Sequence, residues 1–344
     1  MSKLAAQLIA WQKRHGRHDL PWQGTRDPYR IWLSEVMLQQ TQVATVIPYY
    51  ERFLARFPTV DALAAAADDE VLASWSGLGY YARARNLHRA AREVVARFGG
   101  VFPTRFDALA TLPGIGRSTA AAIAAFSSGE RRAILDGNVR RVLARHAGIG
   151  GDPSRAAVLA QLWSVAESRV PLRQIEPYTQ GLMDLGADVC LPRDPHCLLC
   201  PVSGDCVALG EDRIAELPGR KARAPARRKR IAMLVVTRGG EVLLEKRAPT
   251  GIWGGLWSLP EAGADEAPAA ALARDWGLAA AEAQPLEPFE HAFTHFTLEV
   301  APWRLKLAPG ARLAEARPAM WLALSDVKGA ALPSPVKKLL ASLA

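Results

Sequence analysis

A cluster of cysteines places the strongest constraint on the fold. All four cysteines of the 344-residue chain lie within one short segment, as Cys190, Cys197, Cys200 and Cys206, with six, two and five residues between them. In a chain without a secretion signal, such clustering argues against disulfides and for a metal centre. Zinc and a [4Fe–4S] cluster can both be held by four thiolates, but zinc sites more often use two separated C-x-x-C pairs. Because only one such pair is present, the spacing favours the iron–sulfur cluster, with zinc as the alternative.

Net charge and hydropathy limit the classes of protein that are compatible with the sequence. The formal net charge is +9, and 49% of the residues are hydrophobic. A basic balance favours polyanions such as nucleic acid, because Lys and Arg release counterions from phosphates. No apolar run approaches the roughly 20 residues that span a bilayer, and the N-terminus lacks the apolar core of a secretion signal. We therefore expect a cytoplasmic protein with no membrane association.

A change in composition divides the chain. Up to about residue 188, apolar residues recur at three- and four-residue spacing, which predicts successive helices. The stretch from Gly219 to Arg230 then carries seven basic residues and no acid, and segments typical of strands follow it. We expect an all-α domain at 1–215, a basic linker at 216–230 and a mixed α and β domain at 231–344. The clearest predicted helices are 28–40, 42–56, 81–98, 117–127 and 138–147.

A glycine-containing turn precedes an alanine-rich helix. Gly114 and Gly116 lie in the segment Leu112-Pro-Gly-Ile-Gly-Arg-Ser-Thr-Ala120. Glycines permit a tight turn, and the amides at the start of the following helix can hold a phosphate. The segment resembles the hairpin of helix–hairpin–helix DNA-binding proteins, and the alternative is an ordinary connection between helices.

Two carboxylates are candidates for catalysis. Glu35 shares a predicted helix face with Trp32 and Leu38, so we expect partial desolvation, which raises its pKa and suits it to donate a proton. The alternative is a Glu at the edge of the apolar stripe with its carboxylate in solvent. Asp136 follows an apolar stretch and precedes a predicted helix, a position that is also typical of a cap or turn residue.

Longer motifs around these residues resemble those of one enzyme family. They are Trp32-Leu-Ser-Glu-Val-Met-Leu-Gln-Gln-Thr-Gln-Val43, Gly77-Leu-Gly-Tyr-Tyr-Ala-Arg-Ala-Arg-Asn86, Leu135-Asp-Gly-Asn-Val139, Met183-Asp-Leu-Gly-Ala187 and the cysteine cluster with Pro201. With these motifs the chain resembles MutY-type adenine DNA glycosylases of the endonuclease III-like superfamily, over nearly its whole length. The resemblance implies a multidomain fold, in which an all-α helix–hairpin–helix glycosylase domain with an iron–sulfur cluster loop precedes an α+β Nudix-like C-terminal domain.

The resemblance also assigns residues to roles. It implies that Glu35 protonates N7 of a flipped adenine and later activates water, and that Asp136 stabilises the positive charge at C1′ or briefly bonds to it. Asn138 would hold Asp136 in place, and the four cysteines would bind a [4Fe–4S] cluster. Further residues would contact DNA or the base, namely Gln40, Thr41 and Tyr80 in the distorted stack, Trp22 and Gln180 at the adenine pocket, and Gly114, Gly116 and Ser118 at the hairpin.

Ser118 bears on the type of reaction. Lyase relatives place a Lys at this hairpin position for Schiff-base chemistry, which a Ser cannot perform. The resemblance therefore implies a monofunctional hydrolase that excises adenine opposite 8-oxoguanine or guanine from double-stranded DNA. We expect it to act as a monomer in the nucleoid.

Residues 231–344 resemble the Nudix-like domain with which this family recognises 8-oxoguanine. Gly255, Glu261, Gly277 and Leu278 keep an approximate Nudix frame. Ala271, Arg274 and Asp275 stand between them, so too few carboxylates remain to hold a divalent metal. We therefore expect a binding shape without pyrophosphate chemistry. The segment Phe293-Thr294-His295 matches the loop that reads 8-oxoguanine, and the alternative is a plain β-turn with a solvated His.

Three other functions stay open on the sequence alone. They are a non-catalytic DNA-binding or redox-responsive iron–sulfur protein, a nucleotide-cleaving Nudix enzyme and a base-excision lyase. The presence of both Glu35 and Asp136 in their motifs argues against the first, the missing Glu residues argue against the second, and Ser118 argues against the third.

Overall fold

A computed structural model describes residues 2–219, 227–293, 295–308 and 318–343. Contacts divide the chain into two compact units. The first unit comprises Met1–Ala65 and Asn86–Arg223, and the second comprises Ala66–Arg85 and Ala224–Ala344. The second unit therefore includes a short segment from the helical half of the sequence, which the change in composition did not predict.

The N-terminal half is helical, as the spacing of its apolar residues predicts. Local signals set the helix ends. Asp27 accepts a hydrogen bond from the backbone N–H of Tyr29 at 2.9 Å, and left-handed Gly129 and Gly148 each end a helix. The helices are α1 (Lys3–His15), α2 (Pro28–Met37), α3 (Val43–Arg56), α4 (Val60–Ala65), α5 (Asp68–Trp75), α6 (Ala82–Phe98), α7 (Phe106–Leu109), α8 (Arg117–Ser128), α9 (Gly137–Ala147), α10 (Ala156–Arg169), α11 (Ile175–Asp184) and α12 (Val207–Gly210).

Small residues let the helices of the first unit pack closely. Helix α1 packs against α11, where a Cβ on Gly181 would lie only 3.0 Å from Leu8 Cγ. Helix α8 buries Ile123 together with the alanines on either side of it, from Ala120 to Ala125, and packs against α2 and α11. A π-helical turn, Leu185–Val189, continues α11 toward the cysteines and packs against α9. This core fixes α2, α8, α9 and α11, the four elements that carry the candidate site.

The second unit contains a mixed sheet. Its strands are β1 (Arg227–Arg238), β2 (Glu241–Lys246), β3 (Trp257–Ser258), β4 (Glu261–Gly263), β5 (Ala280–Pro285), β6 (Phe289–Ala292), β7 (Phe296–Leu307) and β8 (Ala319–Ala323), with helices α13 (Pro268–Trp276) and α14 (Ser334–Ala341). The strand order is β3-β2-β1-β7-β5, and β4, β6 and β8 pair with β1, β7 and β2. Strands β1 and β7 are parallel, and α13 buries Leu272 and Trp276 in the core of this unit. The all-α part followed by a mixed α and β part is thus confirmed.

Polar contacts join α5 to the strands of the second unit. Asp69 accepts a hydrogen bond from Trp257 Nε1 at 2.9 Å and forms an ion pair with Lys246, the residue that pairs with Trp257 across β2 and β3. The Ser76 hydroxyl donates to the carbonyl of Leu332 at 2.6 Å, and Arg85 donates to the carbonyl of Gly254. The segment 66–85 is therefore held by residues that lie more than 160 positions later in the sequence.

Two secondary-structure elements have ends that the sequence did not predict. The basic linker was expected to extend to residue 230, but strand β1 begins at Arg227. Its basic residues enter the sheet because Arg228 pairs with Glu290 and Glu299, which offsets their mutual repulsion. Helix α2 was expected to reach Gln40, but it ends at Met37, and Gln40 has a φ of 58° that an α-helix cannot accommodate.

In the described part of the chain, no helix combines the length and the apolar character that crossing a membrane requires.

Candidate active site

Glu35 is a buried acid on helix α2. Its neighbours Trp32 and Leu33 are fully buried, and protein atoms surround the Glu35 carboxyl group although part of the residue remains accessible to water. Burial, together with the negative charge of Asp136, raises the pKa of Glu35 to about 8. Of the two alternatives that the helical spacing left open, the raised pKa favours the desolvated acid over a Glu with its carboxylate in solvent. Glu35 is therefore protonated at neutral pH and can donate a proton to a bound base.

Asp136 is the N-cap of helix α9. Its Oδ1 accepts hydrogen bonds from the backbone amides of Asn138 at 2.7 Å and Val139 at 2.9 Å. The structure therefore gives Asp136 the capping role that the sequence left open, and it also brings this carboxylate close enough to Glu35 to shift the pKa of Glu35. The two bonds fix one carboxylate oxygen, so the group is held in one orientation beside the acid.

The hairpin connects α7 to α8, and α8 packs against α2, the helix that carries Glu35. Gly114 has a φ of 76°, and a Cβ there would lie 2.8 Å from Asn86 Cβ, so both conformation and space require glycine. Gly116 is the N-cap of α8 and gives no side-chain cap. The Ser118 hydroxyl accepts a hydrogen bond from the backbone N–H of Leu135 at 2.9 Å, which ties the hairpin helix to the residue before Asp136. These contacts fix the conformation of the turn and the position of α8 relative to Asp136.

A fully buried carboxylate that the motif search did not single out lies on α11. Asp184 accepts hydrogen bonds from the Arg17 backbone at 3.1 Å, from Arg17 Nε at 2.7 Å and from Gln180 Nε2 at 2.8 Å. Gln180 is therefore oriented by Asp184 rather than free on the surface. The only sequence signal for Asp184 is its place in the segment Met183–Ala187.

Arg141 links the Asp136 loop to the first cysteine. Its guanidinium donates to Asn138 Oδ1 at 2.9 Å, to the carbonyl of Gly186 at 2.6 Å and to the carbonyl of Cys190 at 2.7 Å. Asn138 thus supports Asp136 through its backbone amide, whereas its side-chain oxygen engages Arg141. A Cβ on Gly186 would lie 2.6 Å from Asn138 Cβ, so the close approach depends on glycine.

The four cysteines line one cavity beside α9. Most of its other lining residues are apolar, and Arg145 reaches in to place a guanidinium nitrogen 3.4 Å from Cys190 Sγ. Burial and the neighbouring cysteines raise the pKa of Cys200 to about 11, against a hydrogen bond from the Val202 backbone that lowers it. Among the described residues, no three His, Cys, Asp or Glu side chains are arranged to hold a single metal ion.

Two of the residues expected in the distorted DNA stack have unusual backbones. Gln40 has a φ of 58° and is exposed, and Tyr80 has a φ of 49° with 46% of its surface exposed. Left-handed residues other than glycine are uncommon and concentrate at functional sites. Thr41 is partly buried, and its hydroxyl lies 3.4 Å from the carbonyl of Gln39. Tyr80 belongs to the second unit, whereas Gln40 and Thr41 belong to the first.

Trp22, expected at the adenine pocket, is almost completely buried. Its ring packs edge-on against Tyr50, with 5.4 Å between ring centroids. The residue is 8% exposed, so only a small part of the indole can meet a ligand.

The predicted 8-oxoguanine loop lies at the tip of the β6–β7 hairpin. The backbone N–H of Phe293 donates to the carbonyl of Phe296 at 2.8 Å, and the two rings stack with centroids 4.6 Å apart. Phe293 also contacts Trp253 and His291. His295 is exposed, and Thr294 lies outside the described residues. The tip is therefore an aromatic platform with an accessible His beside it.

The carboxylates of the Nudix-like frame are engaged with arginines. Arg247 lies 3.1 Å from Glu261, and Arg274 pairs with Glu266 and, at 2.7 Å, with Asp275. Arginine side chains thus pair with the carboxylates that a divalent metal would need as ligands.

Comparison with known proteins first defines the class. A family model described as the HhH-GPD superfamily base excision DNA repair protein matches residues 33–168, and one described as a NUDIX domain matches residues 231–342. Among solved structures, a thermostable thymine-DNA glycosylase superposes with a TM-score of 0.55 and 30% identity, covering 60% of this chain and 95% of that one. The hairpin, the carboxylate pair and these matches define a base-excision DNA glycosylase with a C-terminal Nudix domain.

Longer alignments define the family. The chain is 34% identical over 334 residues to the adenine DNA glycosylase of Buchnera aphidicola subsp. Acyrthosiphon pisum, covering 97% of this chain and 95% of that protein. It is 36% identical over 392 residues to the adenine DNA glycosylase of Rattus norvegicus, covering 96% and 76%. The chain belongs to the adenine DNA glycosylase family, which confirms the resemblance drawn from its motifs. It is a hydrolase of base excision repair that acts on DNA.

Proposed function

We propose that this glycosylase removes adenine opposite 8-oxoguanine or guanine by hydrolysis alone, without lyase activity. The observation that carries the proposal is the buried, protonated Glu35 beside the fixed carboxylate of Asp136. A neutral acid and an anion in one site have opposite tasks. The acid activates the leaving base, and the anion balances the charge that the sugar develops as the base departs.

The reaction can be written on these two groups. The carboxyl group of Glu35 transfers its proton to N7 of the flipped adenine, so the electron pair of the C1′–N9 bond leaves with a neutral base. The carboxylate of Asp136 stabilises the positive sugar, either by charge or by a transient bond to C1′. A water molecule then attacks C1′ and gives its proton to the Glu35 carboxylate, which leaves free adenine and an abasic site. The start of α8 and its hairpin would hold the DNA phosphate during these steps.

Two features support a hydrolase without lyase activity. Ser118 stands at the hairpin position where lyase relatives have a Lys. Its hydroxyl accepts a hydrogen bond from the backbone N–H of Leu135. Among the described residues of the first unit, the lysines are Lys3 and Lys13, which contact Asp205 and Gln174. No amine of that unit is therefore placed for Schiff-base chemistry in the described residues.

We further propose that Cys190, Cys197, Cys200 and Cys206 hold a [4Fe–4S] cluster. The four thiols line one cavity, which supports a shared centre. The presence of only one C-x-x-C pair, rather than the two separated pairs that zinc sites more often use, favours the iron–sulfur cluster. When bound, the cluster would cross-link this loop and would also supply redox chemistry. Iron and sulfide analysis of freshly purified protein tests this, because stoichiometric zinc without iron contradicts it.

Recognition of the opposite base is assigned to the tip of the β6–β7 hairpin, with Phe293, Thr294 and His295. The stacked rings of Phe293 and Phe296 and the exposed His295 support this role, because a damaged base offers both a π-face and polar edges. We propose that one chain acts alone on nucleoid DNA, since Glu35, Asp136 and the hairpin all lie within one compact unit of the chain.

The test is single-turnover release of adenine opposite 8-oxoguanine, guanine, cytosine and thymine. Point variants are more informative than deletion of residues 231–344, because that deletion also removes the partners of segment 66–85. We expect the parent enzyme to prefer 8-oxoguanine and His295→Ala to lose part of this preference. His15→Ala, which removes an exposed His of the helical unit, should leave it unchanged. Equal rates for all four opposing bases would contradict the proposed substrate.

A borohydride-trapping experiment tests separately for lyase activity, because a lyase forms a Schiff base with the DNA. Borohydride added during turnover should yield no covalent protein–DNA adduct with the parent enzyme. Efficient trapping together with strand cleavage would overturn the hydrolase-only proposal while leaving adenine as the substrate.

A further inference from the structure

His146 is a buried histidine in the wall of the cysteine cavity. It lies on α9, one residue after Arg145, and is 8% exposed. Its side chain lines the cavity together with the four cysteines. The proposed function assigns no role to this residue.

Arg169 fixes the tautomer of the His146 ring. The Arg169 guanidinium lies 3.1 Å from His146 Nδ1. A guanidinium can only donate hydrogen bonds, so Nδ1 must accept and carries no proton. The proton of the neutral imidazole is therefore on Nε2, which makes Nε2–H a hydrogen-bond donor.

That donor has no acceptor within the described residues. His146 Nε2 is inaccessible to solvent and forms no hydrogen bond. The charged groups that act on the ring are Arg169 and Asp205, and Asp205 is engaged by Lys3 at 2.8 Å. Buried polar groups almost always have a partner, so an orphan donor in a cavity wall points to an acceptor that the chain itself does not supply.

Apart from His146, Arg145 and Ser203, the lining of this cavity consists of the four cysteines and apolar residues such as Val142, Leu185 and Val202. The cysteine sulfurs are therefore the most numerous candidate acceptors, with the Ser203 hydroxyl as the other side-chain acceptor. We propose that the Nε2–H of His146 donates a hydrogen bond to a sulfur of the iron–sulfur cluster or to one of its cysteine ligands. His146 is thus a positioning and tuning residue of the metal centre. The inference rests on the proposed [4Fe–4S] cluster.

A hydrogen bond to a cluster sulfur has a defined consequence. It stabilises the form of the cluster that carries more negative charge, which is the reduced form. Removing the donor should therefore lower the midpoint potential of the cluster. Arg169 acts through His146, because it holds the ring in the tautomer that can donate.

The test uses the full-length holoenzyme and the variant His146→Phe, which keeps a ring of similar size and removes both nitrogens. Iron and sulfide content are measured first. Pulsed EPR of the paramagnetic cluster is then recorded on protein labelled with ¹⁵N-histidine, and the midpoint potential is determined by voltammetry. We expect a histidine ¹⁵N coupling in the parent enzyme, its loss in His146→Phe and a lower potential in that variant. His146→Gln offers an amide donor and should restore part of the potential.

The outcomes separate this inference from the proposed cluster. Absence of iron in the parent protein defeats the cluster itself. Full iron content with the same histidine coupling and the same potential in parent and His146→Phe overturns the hydrogen bond while the cluster stands. If His146→Phe fails to fold, the parent spectrum decides, because a parent cluster with no histidine ¹⁵N coupling also refutes the proposal.

Discussion

Replacing Glu35 by Gln should stabilise the protein while removing its activity. The amide resembles the neutral acid in shape and cannot ionise. In the parent protein, burial and Asp136 raise the pKa of Glu35 from 4.5 to about 8, so the folded state resists an ionisation that the unfolded chain undergoes freely. The stability that the neutral acid provides is therefore present below about pH 4.5 and is lost as pH rises toward 8.

The size of the effect follows from this shift. Linkage at 1.36 kcal/mol per pKa unit gives the variant an advantage in the free energy of unfolding of about 1 kcal/mol at pH 5 and at most about 4 kcal/mol at pH 8. The stability advantage of Glu35→Gln over the parent must grow with pH, because only the parent carries an acid that the fold keeps neutral and that ionises on unfolding.

Urea unfolding of the full-length protein at pH 5 and pH 8 measures this gain. Glu51→Gln is a matched control on α3, since Glu51 is exposed and its replacement should change stability little at either pH. A Glu35→Gln protein no more stable than its parent at pH 8, or equally stabilised at both pH values, would show that Glu35 is not a buried neutral acid.

Three further perturbations follow from the geometry. The single-turnover rate of adenine release should be flat between neutral pH and about pH 8 and fall about tenfold per pH unit above it as Glu35 ionises. A rate that climbs through pH 8 contradicts the role of Glu35 as the acid. Gly114→Ala should cost about 1–3 kcal/mol of stability, because φ is 76° at this position and Asn86 lies where the methyl group must go. The same variant should bind DNA more weakly in a fluorescence titration, and an unchanged affinity would show that the hairpin does not contact DNA. Asp69→Ala and Trp257→Phe should be non-additive in a double-mutant cycle by about 0.5–1.5 kcal/mol in unfolding free energy, whereas full additivity would mean that the hydrogen bond between them contributes nothing.

The sequence was informative where chemistry depends on local pattern. Helical spacing around Glu35 left a desolvated acid and a solvated edge residue as alternatives, and the structure has the desolvated acid with a raised pKa. The short cysteine spacing predicted one shared site, and the four thiols line one cavity. These predictions succeed because each depends on residues a few positions apart on one element.

The parts that sequence reasoning missed depend on long-range contacts. Asp184 is satisfied by Arg17, a partner 167 positions away, and no local pattern identifies such a pair. The role of Arg141 depends on the close approach of Gly186 to Asn138, which only the packed fold shows. The segment 66–85 reads as ordinary helix and loop, yet its polar contacts are with the strands of the second unit. The orphan nitrogen of His146 is likewise invisible without the cavity around it.

The central claim is that a protonated Glu35 beside Asp136 drives hydrolytic release of adenine. Its most direct test is a single-turnover measurement of free adenine and abasic sites from a duplex with adenine opposite 8-oxoguanine. We expect release by the parent enzyme, and loss of roughly 100-fold or more in rate with Glu35→Gln and with Asp136→Asn, as removal of a general acid or a charge-stabilising group entails. Binding of the duplex should persist in both variants. Release by Glu35→Gln at the rate of the parent enzyme would contradict the claim.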